Sequence, residues 1–213
     1  MAYGYAKEHQ TIVKLPNLRG IILQIGDEDS SQEEWAIKIT KIQLDMAQGI
    51  LHEAYSIQTP KQKTFELSLT SFTSMKRPEL FVWKYTVGKC NFNEMIFMKH
   101  MLNQRGEFSN TDDPRVVSKS HKLNIEKRDS YYQLTTGNSG KTLAIRIFNA
   151  SGQLTQHEQI VTIFQISKVD SCCSKSMFVN NIANFETLIP EQIQSYKEFW
   201  LISDSSIKGN DGL

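Results

Sequence analysis

The most suggestive chemical signature in this 213-residue chain is Thr135-Thr136-Gly137-Asn138-Ser139-Gly140-Lys141-Thr142, which ends like a phosphate-binding loop. Such a loop requires a glycine where Thr135 stands, and a helix afterwards whose first amides receive the phosphate. The residues that follow alternate as a strand, so the run reads as a hairpin turn. The five histidines, His9, His52, His100, His121 and His157, include no pair four apart and none at a ligand spacing from a cysteine. His52–Glu53 and His157–Glu158 are adjacent pairs, which on a strand point to opposite faces. Serines are many, but no Gly-x-Ser-x-Gly elbow is present. Asp27-Glu28-Asp29 and Asp112-Asp113 lack the alternation and the later glutamate of a calcium loop, and read as solvated turns. No catalytic, cofactor-binding or metal-binding residue is assigned, and no cofactor is expected.

Cys90 stands alone and Cys172–Cys173 are neighbours, an arrangement that describes neither a disulfide framework nor a zinc site. A reducing compartment is the plain expectation. Lys and Arg number 24 against 23 Asp and Glu, so no general attraction to nucleic acid follows. The basic neighbourhoods at 119–122 and 127–128 read as loop charge. The aromatics have no interleaved basic residues of the kind a single-stranded nucleic-acid platform uses. The polar N-terminus does not look like a secretory signal, and no apolar run is long enough to span a membrane.

Alternating apolar residues must position whatever the chain does. Trp35, Ile37 and Ile39 occupy odd positions, then Ile42, Leu44 and Met46 even ones. That parity change predicts a β-bulge near Thr40–Lys41. Phe65, Leu67 and Leu69 alternate, as do Leu143, Ile145 and Ile147. Val161 and Ile163, then Phe164 and Ile166, change parity again. These read as strands with one face on a core and the other wet. Turns are expected at 26–31 and 137–140. A further turn at 149–152 is expected to close a hairpin onto a strand at 160–169.

One segment reads as helical. Ser74 offers a cap, Pro78 an early turn, and Leu80, Trp83, Lys84 and Val87 a helical spacing before Gly88. A short α-helix is therefore expected from about Arg77 to Val87. Residues 1–17 read as an N-terminal extension, 18–202 as one β domain, 103–128 as a long polar surface excursion and 203–213 as a frayed tail. The fold class expected is mainly β, an antiparallel β-barrel or sandwich with one short helix.

The order of elements resembles the Hcp family, the inner-tube protein of bacterial type VI secretion. The likeness rests on Ile21 through Asp29 followed by Trp35 to Ile39, then Phe65 to Thr73, and Arg77-Pro78-Glu79-Leu80-Phe81 with Gly88. At the C-terminal end it rests on Glu186-Thr187-Leu188 with Ile193 and Tyr196, read as a strand, with Pro190 as a departure. The resemblance implies a structural, non-enzymatic tail-tube subunit, a homohexamer whose rings stack into tubes. It implies effector, sheath or spike proteins as further partners, and a cytoplasmic protein secreted through its own machine without a signal peptide. The alternatives are a β-sandwich binding module or viral shell protein, and a hydrolase with a site gathered from His52, His100 or His157.

Overall fold

In the computed structural model, residues 16–102, 123–137, 140–169 and 185–203 are described. The acidic pair at 112–113, Cys172–Cys173, His9 and His121 lie outside them. So do the N-terminal extension up to 15, the tail from 204, and most of the polar excursion.

The protein is mainly β. Among the described residues, the strands run β1 (Ile21–Ile25), β2 (Glu28–Asp29), β3 (Ala36–Asp45), β4 (Ile50–Gln58), β5 (Thr64–Thr73) and β6 (Leu80–Cys90), then β7 (Ile96–His100) and β8 (Leu123–Lys127). They continue with β9 (Tyr132–Thr136), β10 (Thr142–Phe148), β11 (Ser151–Leu154) and β12 (Gln159–Val169), and a helix, α1 (Phe185–Ser203), follows. A small sheet has the order β11-β7-β1-β2, and a large one β3-β4-β5-β6-β12-β10-β9-β8. Every described pairing is antiparallel. The main core, including Ile25, Phe65, Leu67, Trp83, Met98, Ile145 and Phe164, draws on both sheets. A second cluster, Ile50, Phe72, Leu80, Val82, Ile163 and Leu188, lies between the large sheet and α1.

The bulge appears where the parity change placed it, with the β3–β4 register shifting between Ile39 and Lys41. The helix expected at 77–87 is instead β6. Ser74 Oγ accepts from the Arg77 amide at 3.1 Å, and the Ser74 amide donates to Leu80 O at 2.9 Å. The cap-like signal therefore belongs to the turn joining β5 to β6. Leu80 and Val82 face the helix while Trp83, Tyr85 and Val87 face the small sheet. A strand buried on both faces loses its alternation, and its apolar residues then fall at helical spacings by accident. The second parity change, at Ile163–Phe164, has the same origin: Ile163 sits in the helix-side cluster and Phe164 in the main core, with no register shift in β12.

The segment read as a C-terminal strand is α1, with Pro190 inside it. Leu188, Gln192 and Tyr196, four apart, share one face. Gln192 is only 1% exposed and bridges two turns of the large sheet. Its Oε1 accepts from the Met75 amide at 2.9 Å, and its Nε2 donates to Gly49 O at 3.3 Å. Arg77 bonds Glu191 at 2.9 Å beside this clamp.

The turn at 149–152 does not close the hairpin directly. β10 does pair with β12, but β11 intervenes and crosses to the small sheet beside β7. The end of the supposed surface excursion forms β8, paired with β9.

Candidate functional site

The phosphate-loop-like run is a hairpin. The Lys141 amide donates to Thr136 Oγ1 at 2.9 Å, the Gly140 amide to Thr136 O at 3.0 Å, and a strand follows. Without a helix N-terminus there is no anion cradle.

The three described histidines do not come together. His52 Nδ1 lies 3.3 Å from Thr70 Oγ1 on the helix-side face of the large sheet. His157 is at an exposed turn before β12, with φ of 68°. His100 is 3% exposed, sealed in the core on β7. Its ring centroid lies 5.3–6.0 Å from those of Trp83, Tyr85 and Phe164. Neither ring nitrogen has a hydrogen-bond partner among the described residues. Burial pushes its pKa down to about 4, so the ring is neutral at ordinary pH.

Two charged clusters escaped sequence reasoning. Glu53 is 5% exposed in its side chain, on the core-facing side of β4. Its carboxylate accepts from Tyr55 Oη at 2.8 Å and from Arg19. Burial alone raises the Glu53 pKa, but the bonds from Arg19 and Tyr55 outweigh it and hold the carboxyl below its ordinary range. Glu28, expected in a solvated turn, is fully buried. Its Oε1 accepts from the Lys61 amide at 2.9 Å, and Oε2 lies 3.3 Å from Lys63 Nζ. Lys63 also reaches Glu94 at 2.7 Å, so one ammonium ties β2 to the segment before β7. The only forewarning was composition, since a glutamate between two aspartates says nothing of which side chain turns inward. Arg19→Met strands the buried Glu53 carboxylate beside Tyr55 alone. Because Arg19 is itself half-exposed, this is expected to cost about 1–2 kcal/mol in denaturant unfolding. The double variant Arg19→Met/Glu53→Leu is expected to recover most of it, because the uncompensated charge is gone.

The described surface carries a large apolar stripe. Ile37, Ile39, Ile42, Leu44 and Met46 are 55–62% exposed. The bulge keeps those within β3 on one face, opposite Ile57, Tyr55, Glu53 and Leu51 of β4. That is the side from which β4 and β5 supply Ile57, Phe65, Leu67 and Leu69 to the core. The inner face of the large sheet thus runs out beyond the small sheet, and β3 leaves it bare at the sheet edge. Beside its end, Trp200 Nε1 donates to the Met46 carbonyl at 3.1 Å, and Met46, Ala47, Trp200 and Leu201 line one shallow hollow. A contiguous face of this kind marks an interaction surface.

Among the described residues, no three His, Cys, Asp or Glu side chains gather as a metal site. Nor is any helix among them long and apolar enough to cross a membrane.

Residues 1–180 match the glycosyl hydrolase family 65 N-terminal domain. An alpha,alpha-trehalose phosphorylase of Thermoanaerobacter brockii is 25% identical over 117 residues, which are 54% of this chain and 15% of that enzyme. A putative kojibiose phosphorylase from the human microbiome shares the fold, with a TM-score of 0.56 at 12% identity. The match covers 88% of this chain and 28% of that one. These relatives are enzymes, which overturns the tail-tube reading with its hexameric rings, its sheath, spike and effector partners and its non-enzymatic role. The expected export through a secretion tube loses its basis with it. Alternating strands and polar turns are common to many β-sandwiches and barrels, so their order alone did not separate the families. The chain belongs to the glycosyl hydrolase family 65 N-terminal domain family.

Proposed function

We propose that this chain serves as the β-sandwich domain of an enzyme that cleaves glucose disaccharides with phosphate, docked to a larger catalytic body through the bare face of β3. The observation that carries the reading is the family match over residues 1–180, on a sandwich whose inner sheet face is left uncovered at one edge. The relatives supply the occupant: the matched parts are 15% and 28% of their lengths, so each has a far larger remainder for such a face to meet. The reading treats 18–202 as one unit, because α1 is clamped to the sheet by Gln192 and Glu191. It also places the protein in the cytosol, in keeping with the free thiol of Cys90.

Four of the described carboxylates are held in structural pairings. Glu53 is engaged by Arg19 and Tyr55, Glu28 and Glu94 by Lys63, and Glu191 by Arg77. A general acid needs a carboxyl raised toward neutrality, and Glu28 and Glu53 are both held low.

The test is a hybrid in which this chain replaces the matching part of the Thermoanaerobacter trehalose phosphorylase. Phosphate-dependent cleavage of trehalose is expected to exceed that of the same enzyme with the part deleted by at least tenfold. A folded hybrid no more active than the deletion contradicts the proposal.

A further inference from the structure

A shallow cleft of about 670 Å³ lies on the outer face of the small sheet, lined by Gln24, Asn93, Glu94, Met95, Phe97 and Gln153. Its floor is set by register. Gln24 of β1 and Gln153 of β11 both pair with Phe97 of β7, so the three stand in one row across the sheet. Ile96, Met98 and His100 point inward and are buried, which turns Phe97 outward. Adjacent strands lie about 4.8 Å apart, so the two glutamines flank the ring at a separation of about 10 Å. That span suits one or two hexose rings.

The chemistry of the lining selects among ligands. Glu94 is the one charged group among the described lining residues, and Lys63 already pairs it at 2.7 Å, so an anion finds no unpaired cation among them. Gln24, Asn93 and Gln153 are exposed amides, each offering a donor and an acceptor side by side. Asn93 and Gln153 make no side-chain hydrogen bond to another described residue. Gln24 uses only its Nε2, toward Gly26 O at 3.2 Å. An aromatic face flanked by such amides matches a molecule with an apolar face of C–H groups and a rim of neighbouring hydroxyls. We propose that this cleft is a pyranoside-binding site, with the sugar ring stacked on Phe97 and its hydroxyls bonded by Gln24, Asn93 and Gln153. The choice of a glucose disaccharide as ligand rests on the function proposed above; the cleft itself does not.

The experiment is a titration of the full chain with kojibiose to about 50 mM, followed by backbone amide shifts, since a shallow wet site of this size binds in the millimolar range. Shifts are expected to cluster at Gln24, Asn93, Phe97 and Gln153. Phe97→Ala is expected to weaken binding at least tenfold and Gln153→Ala severalfold. Lys99→Ala, one row along the same face, is expected to leave it within twofold. Shifts that map elsewhere, no response at the top concentration, or a Phe97→Ala protein that titrates like the parent each overturn the proposal. The Gln153→Ala variant keeps the test decisive if Phe97→Ala fails to fold. An inactive hybrid phosphorylase leaves this result standing, and a silent cleft leaves the hybrid's activity standing.

Discussion

Lowering the pH from 7.5 to 5 is expected to remove about 2 kcal/mol of stability through His100 alone, and about 3 kcal/mol by pH 4. The ring is buried among Trp83, Tyr85 and Phe164 with neither nitrogen bonded to a described residue, and its folded pKa lies near 4 against 6.5 for the free side chain. The unfolded chain therefore binds a proton that the folded one refuses. The contribution is fully present above pH 6.5 and is lost as the pH falls toward 4. Glu28 and Glu53, held low by their partners, add their own losses at more acid pH. The histidine is separated from them by comparison with His100→Leu. Urea unfolding at pH 7.5 and 5 is expected to show a decline about 2 kcal/mol smaller in the variant. An equal decline in both proteins means that the ring is solvated or paired.

Gly49→Ala is expected to be strongly destabilising. Gly49 has φ of 64°, in the left-handed region, and an added Cβ meets the Tyr196 ring at 2.0–2.4 Å. Either fault alone costs about 1 kcal/mol or more; together they force α1 away from the β3–β4 turn. Moving the helix also pulls Gln192 Nε2 off Gly49 O and uncovers Leu188. A loss of about 3–4 kcal/mol is expected. Gly49→Ala/Tyr196→Ala is expected to regain part of it, since the backbone cost remains while the clash is relieved. A single variant within about 0.5 kcal/mol of the parent shows that the helix does not pack on this turn.

Strands with one wet face were readable from the residues. β5 alternates, and in β3 the bulge at Ile39–Lys41 followed from the parity of Ile37 and Ile39 against Ile42 and Leu44. Of the strands with two dry faces, β12 was expected at 160–169 and β6 was not. In β6, Leu80 and Val82 meet the helix while Trp83, Tyr85 and Val87 meet the small sheet, and the pattern dissolves. The helix itself carried a signal, Leu188, Gln192 and Tyr196 at four-residue intervals. It was masked by Pro190 and by a likeness of element order that implied a strand. Alternation also cannot say what covers a dry face. Ile37, Ile39, Ile42 and Leu44 read as core, and they are bare because the small sheet stops short of them. The cleft around Phe97 left no trace in the sequence, since Gln24, Phe97 and Gln153 meet only through pairings between strands far apart in the chain.

The docking role of β3 is tested most directly by Ile39→Asp/Leu44→Asp, made both in the chain alone and in the hybrid phosphorylase. Both side chains are already more than half exposed, so the chain alone is expected to keep its Tm within about 2 °C. In the hybrid the same pair buries two carboxylates against the catalytic body, and phosphate-dependent cleavage of trehalose is expected to fall at least tenfold. A hybrid that carries both aspartates and retains full activity contradicts the docking of this face.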